Sequence, residues 1–349
     1  MQFVSAGGIA LATIVDVAKA AGVSVATVSR VLNGNGRVGS ELRERVMRAA
    51  QALQYVPNTA ARNLRRSESG TVLILAPNLT NPYYTHILAG IGEVAQGYGY
   101  RSFLCNTGGD IGQIQSLLSM LETHEADGAI LLATELGAQW LAPYASRFPI
   151  VQSSEFDPAV DVPHVSIDNR QAASDVMAYL LSLGHTRIGF IGSQNRYYST
   201  LLRMQSYREA LTQAGIPVEE SYIRQASEDY SFRSGFQAAC SLLSQEMRPT
   251  ALFCISDTLA FGAIAGAQEM GFSVPENVTV VGFDDVESTT MFHPYVTTMA
   301  QPCSDIGRRA MEMLHGLIRG ETVPREVVLP HRLEIRESSA CRSRELYWI

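Results

Sequence analysis

The chain has 349 residues, 46% of them hydrophobic, and a formal net charge of −7. That length allows two or three domains with a large core. Five widely spaced cysteines without CxxC or zinc spacing argue against a disulfide framework or metal site. No run approaches the ~20 apolar residues of a membrane span.

Residues 1–12 are mildly apolar without a positively charged start, and read as a disordered N-terminal extension rather than a signal peptide. The expected setting is therefore cytoplasmic and reducing. From Thr13 to Asn33 the pattern is two short helices joined at Gly22-Val23. Gly22 permits the sharp turn, and Ser24 is placed to cap the second helix. Val28, Val31 and Leu32 share one face, which predicts burial. Ser24, Val25, Ala26, Thr27, Ser29 and Arg30 are then left to an exposed face whose apolar, hydroxyl and Arg mixture suits a DNA major groove. Taken alone, the segment reads better as an ordinary helical hairpin, and the rest of the chain is what favours DNA. Leu42, Val46, Ala49, Ala50 and Leu53 mark a third helix from Ser40 to Leu53 that packs behind the other two.

Charge divides the chain. Residues 1–66 hold nine Lys and Arg against three acids, a net +6, so the remainder carries −13. A basic head on an acidic body is the electrostatic layout of a nucleic-acid binder. After residue 70 the texture changes to short apolar runs at 72–76, 102–105, 128–132, 150–151, 187–191, 251–255 and 278–282, alternating with amphipathic stretches. That alternation predicts parallel sheets covered on both faces. The runs fall into two similar series, before and after about residue 170, expected to face each other across a cleft.

The string Asp16-Val-Ala, Val23-Ser and Thr27-Val-Ser-Arg-Val-Leu-Asn33, followed by Tyr55-Val-Pro-Asn58 and Ala60-Ala-Arg-Asn-Leu64, resembles the LacI/GalR family of bacterial transcription regulators. The resemblance continues through Asn81-Pro-Tyr-Tyr84, Ile167-Asp-Asn169, Ser256-Asp257, Gly282-Phe-Asp-Asp285 and Thr297-Thr-Met-Ala-Gln-Pro302. The strings Ser154-Glu-Phe-Asp-Pro158 and Val165-Ser-Ile-Asp-Asn169 are most similar to the cytidine-repressor branch.

The resemblance implies an N-terminal all-α helix-turn-helix domain at 13–57 and a hinge at 58–69. It also implies an α/β body at 70–349, like periplasmic binding proteins, made of two doubly wound parallel-sheet subdomains. These are expected at about 70–168 with 302–331, and about 169–301 with 332–349. In the hinge, Ala61, Arg62, Leu64 and Arg65 are expected to fold against the dimer mate, with Leu64 wedging into the minor groove and kinking the duplex. Arg37, Tyr55 and Asn58 are further DNA-contact candidates, and Arg30 is the best base-edge candidate. The expected partners are a near-palindromic operator, a second copy of the chain, and a small-molecule effector.

The resemblance also implies effector contacts. Tyr83 and Tyr84 follow the first strand and offer flat rings to a sugar or base. Arg203 and Asp284 are expected to share a vicinal diol, one donating and the other accepting. Ser153, Ser154, Tyr230, Ser256 and Gln301 complete the expected set. Glu155 is costly to bury unpaired and is expected at the cleft rim. The 193–202 loop is one residue longer than in relatives, which leaves Arg196 and Tyr197 unassigned.

No GxSxG, Walker or HExxH pattern is present, no Gly-rich dinucleotide fingerprint follows the strands, and no cofactor or metal is expected. A non-enzymatic regulator controlled by a nucleoside or sugar is the reading. A solute-binding or sensor protein is the first alternative, and a Rossmann-type enzyme the second.

Overall fold

The computed structural model describes residues 12–32, 38–55 and 68–339. Two compact units are present, divided between Ser69 and Gly70.

The first unit consists of α1 (Ile14–Ala21), α2 (Val25–Leu32) and α3 (Ser40–Ala52). Thr13 and Asp16 form a reciprocal capping box at the start of α1. Gly22 ends that helix in the left-handed region at φ 61°, where a side chain would strain the backbone. The Ser24 hydroxyl accepts the Thr27 amide at 3.1 Å and caps α2. Val17, Ala18, Ala21, Val28, Val31, Val46 and Ala50 form the core. Leu53, read from its spacing as part of this buried stripe, is instead exposed because α3 stops at Ala52 and the chain turns.

The second unit holds two six-stranded sheets. In chain order its elements are β1 (Thr71–Ala76), α4 (Pro82–Gly97), β2 (Arg101–Asn106), α5 (Ile111–Glu122), β3 (Gly128–Leu131), α6 (Ala142–Ala145), β4 (Ile150–Ser153), β5 (His164–Ile167), α7 (Asn169–Ser182), β6 (Ile188–Ser193), α8 (Tyr198–Gln213), β7 (Ile223–Ala226), α9 (Phe232–Leu243), β8 (Ala251–Cys254), α10 (Asp257–Glu269), β9 (Thr279–Asp284), β10 (Thr297–Ala300), α11 (Cys303–Ile318), β11 (Glu326–Leu329) and β12 (Arg332–Glu334).

The first sheet runs β11-β5-β4-β3-β1-β2 and is parallel throughout. The second runs β12-β10-β9-β8-β6-β7, parallel except for the antiparallel β12. The chain passes from the first sheet to the second after Ile167, returns after Ala300, and crosses once more after Leu329. β1, β6 and β9 are buried along their full length, as expected of central strands covered on both faces. β2 departs from the sequence expectation of a buried strand. It lies at the sheet edge, with Phe103 53% and Leu104 44% exposed.

Two helix pairs cross at backbone contact. A Cβ on Gly307 would lie 2.0 Å from the Ile87 carbonyl oxygen, and one on Gly262 would lie 2.1 Å from that of Phe232. α4 meets α11 at the first position and α9 meets α10 at the second. Helices start at strand carboxyl ends on side-chain caps. Asn81 accepts the Tyr83 amide, Asp168 the Gln171 amide and Ser256 the Leu259 amide. These starts bring loops of both sheets towards one region, the place where open α/β sheets hold ligands.

Candidate effector cleft and DNA-reading helix

In the first unit, Ser24, Val25, Ala26 and Arg30 are exposed on α2 and its cap, opposite the buried Val28 and Val31. Thr27 and Ser29 are half-buried, and the Ser24 and Thr27 hydroxyls bond each other at 2.9 Å. Tyr55 is also half-buried and packs against the three-helix core, a structural place for a side chain expected on DNA. Arg37, Asn58, Ala61, Arg62, Leu64 and Arg65 lie outside the described residues.

The second unit encloses a small inner chamber of about 20 Å³. Tyr83 and Tyr84 enter it from α4, Glu155 from beyond β4, Arg203 from α8, Asp284 from the end of β9, and Gln301 from beyond β10. Asn81, Tyr197, Tyr230, Ile255 and Ser256 complete the lining. An outer basin of about 440 Å³ shares Asn81, Tyr84, Tyr197 and Tyr230 with it. A basin of that size lies in the range of small-molecule sites, roughly 300–1,000 Å³.

Arg203 is held from three sides. Its Nε and Nη2 donate to Asn169 Oδ1 at 3.0 and 2.7 Å, and its Nη1 donates to the Ile255 carbonyl at 2.7 Å. The guanidinium carbon lies 3.6 Å from the Phe283 ring centroid. This differs from the expected Arg203–Asp284 couple. Among the described residues the two form no ion pair, and Asp284 instead accepts Gln301 Nε2 at 2.8 Å. Gln301 Oε1 in turn accepts the Tyr83 hydroxyl at 3.2 Å, and that hydroxyl bonds the Ser154 hydroxyl at 2.5 Å. The physical reason is competition, because Asn169 and the Ile255 carbonyl take three of the five guanidinium N–H groups without an ion.

Burial raises the carboxyls. It pushes Asp284 up to about 7, while Arg203 and the Gln301 bond pull the other way. Glu155 is raised by burial too, offset by Arg203 and Ser199. Behind the chamber, Asp257 is held well above the usual carboxylate range, first by burial and then by Asp284. It accepts the Thr298 hydroxyl at 2.6 Å and the Val286 amide at 2.9 Å. Burial likewise raises the Tyr83, Tyr84 and Tyr230 hydroxyls, Tyr230 to about 12, so all three stay neutral donors. Ser154, Tyr230 and Asp284 have φ of 73°, 54° and 119°, a concentration of strained backbone around the chamber.

Three expectations need correction. Glu155 is not at the rim. It is 7% exposed and accepts the Ser199 hydroxyl at 2.5 Å and the Ser199 amide at 3.4 Å, which compensates its burial. Ser153 is fully buried, lies outside the chamber lining, and its hydroxyl finds no partner among the described residues. Ser154 reaches the chamber only through Tyr83. Sequence reasoning missed Asn169 as the anchor of Arg203, and Tyr197 as a wall of both cavities. Asn169 carried a usable signal: it opens a helix directly after a strand, just past the Asp168 cap.

Residues 13–58 match the family described as bacterial regulatory proteins, lacI family. Residues 69–337 match periplasmic binding proteins and sugar binding domain of LacI family. The chain is 36% identical to catabolite control protein A of Priestia megaterium, over 94% of this chain and 99% of that protein. It is 37% identical to the HTH-type transcriptional repressor CytR of Escherichia coli (strain K12), over 89% and 91%. Its fold is similar to that of the lac repressor dimer bound to operator and the anti-inducer ONPF. The TM-score is 0.81 at 25% identity, covering 95% of this chain and 99% of that one. A three-helix head with an exposed reading face, a body of two parallel sheets around a polar cleft, and matches running the length of both lead to one assignment: the chain belongs to the LacI family of bacterial transcription regulators.

Proposed function

We propose that the chain represses a catabolic or transport operon, with operator affinity set by a nucleoside or sugar held in the cleft. The observation that carries this reading is that the chamber is lined from both sheets. Tyr83, Tyr84 and Glu155 come from the first, and Arg203, Asp284 and Gln301 from the second. A ligand that bonds to both halves favours one relative arrangement of them, and that differential affinity is what can be coupled to DNA.

In this reading residues 13–57 read the major groove and 58–69 form the hinge. Residues 70–168 with 302–331, and 169–301 with 332–349, are the two halves of the effector domain. The protein acts in the cytoplasm as a homodimer on a near-palindromic operator. Paired Leu64 side chains sit at the operator centre. The likeness to CytR and to the lac repressor dimer on its operator supports both the repressor role and the dimer.

The test is thermal unfolding of the full chain against nucleosides, purines, pentoses, hexoses and disaccharides. A ligand at 100 times its Kd adds about 2.7 kcal/mol. A hit is then titrated into a gel shift on an operator selected from random DNA. Leu64→Ala is expected to weaken operator binding while leaving ligand affinity in place. A ligand that binds without changing operator affinity would overturn the allosteric reading.

A further inference from the structure

The described head ends at Tyr55 and the described body begins at Glu68, so residues 56–67 join them. The boundary between the two compact units falls between Ser69 and Gly70. How firmly the body grips the chain at that point sets how freely the head can range.

The grip is specific. Ser69 is buried, and Gly70 stands immediately before β1. The Gly70 carbonyl accepts the Arg101 amide at 2.8 Å, which continues the β1–β2 ladder by one residue. The Gly70 amide is met by a side chain instead, donating to Asp127 Oδ2 at 2.7 Å. Asp127 is itself fixed by its own amide, which donates to the Thr71 carbonyl at 2.8 Å, and Arg101 Nη2 donates to the Thr71 hydroxyl at 3.0 Å. Arg101 opens β2 and Asp127 directly precedes β3, the two neighbours of β1. Both flanking strands therefore hold the residue at which the chain leaves the body. A bond to an ionised carboxylate is about twice as strong as a neutral one. Gly70 has φ 64°, and a Cβ there would meet nothing within 4 Å, so the turn requires the glycine and packing does not.

We propose that Asp127 is a positioning residue for operator binding, and that by holding the Gly70 amide it fixes the direction in which the chain leaves the body for the DNA-reading head. This rests on the operator-binding reading. The second head of a dimer engages its half-site at the effective concentration set by its connection to the first. A firmly held exit raises that concentration and a loose one lowers it. Non-specific phosphate contacts have no half-site spacing to satisfy.

The experiment is a pair of gel-shift titrations on the full chain, one with the operator selected from random DNA and one with an unrelated duplex. Asp127→Ala is expected to bind operator roughly fivefold or more weakly than wild type, and the unrelated duplex no more weakly. Deleting an acid by itself favours DNA, so the expected loss is opposite in sign to the charge effect. Asp127→Asn keeps an acceptor oxygen and should recover most of the operator affinity. A role confined to sheet stability would lower the melting midpoint and leave the operator affinity of the folded protein in place. Where Asp127→Ala does not fold, Gly70→Ala decides, because it strains the same turn while leaving Asp127 in place, and the same selective loss is expected. In the deciding variant, operator affinity within twofold of wild type, or an equal loss on both duplexes, would overturn the inference and leave the operator-binding reading intact. A wild-type chain that selects no operator would overturn both.

Discussion

Asn169→Ala separates a packing role from an anchoring one. Asn169 is 5% exposed and Arg203 4%, and two of the three hydrogen bonds of the guanidinium go to the Asn169 carbonyl oxygen. A hydrogen bond to a charged group contributes about 1.5–3 kcal/mol, and a buried donor left unmet adds its desolvation. Loss of both bonds alone costs up to about 6 kcal/mol. Water entering the space left by the side chain recovers part of it, giving about 3 kcal/mol. In a domain of this size each 1 kcal/mol moves the melting midpoint by roughly 2–4 °C, so the expected drop is about 6–12 °C. Asn169→Asp keeps the acceptor oxygen and is expected to lose much less. Differential scanning calorimetry on both variants, beside calorimetric titration with whichever panel compound binds, reads the two effects. A midpoint within about 1 °C of wild type for Asn169→Ala, with unchanged ligand affinity, would refute the assignment of Asn169 as the Arg203 anchor.

Three further outcomes are expected. Arg30→Ala, on the exposed face of α2, should weaken operator binding by about 1–3 kcal/mol without moving the melting midpoint. An equal loss on non-specific DNA would make Arg30 a phosphate contact instead. Gly307→Ala should destabilise the body by roughly 1–3 kcal/mol, because its Cβ would meet the Ile87 carbonyl at 2.0 Å and the two helices must part; a wild-type denaturation midpoint would contradict that. Asp284 sits at about 7 in the fold against about 3.9 for an unperturbed Asp. Between those values the folded state holds the extra proton, so the Asp284 contribution falls as pH rises from about 4 to about 7 and levels off above. Wild type should therefore lose more stability from pH 5 to pH 8 than Asp284→Asn does, and equal slopes would count against the raised carboxyl.

The head was legible almost residue by residue. Gly22 and Ser24 act locally, through a left-handed φ and a cap three residues long, and the Val28–Val31 spacing needs only the helical repeat to predict its buried face. The apolar runs of β1, β6, β8 and β9 were legible for a similar reason, since a strand covered on both faces has no polar side to hide its pattern. β5, β7, β10, β11 and β12 were not read as strands. They are three or four residues long, and pairing partners far away in the chain define them.

The composition of the cleft was readable, because Tyr83, Tyr84, Arg203, Asp284 and Gln301 each follow a recognisable string. Their bonding was not. Arg203 turning to Asn169 rather than Asp284, and Glu155 sinking inward on Ser199, depend on which groups, 34 and 44 positions apart in the chain, the fold brings to hydrogen-bond distance. The sequence by itself determined the helix-turn-helix, the two α/β halves and the family, because these follow from local periodicity and short motifs. Only the tertiary structure decided which carboxylates are buried, which donor each one meets, and where helices touch through Gly262 and Gly307. Burial and charge coupling are properties of neighbours in space, and no spacing along the chain carries them.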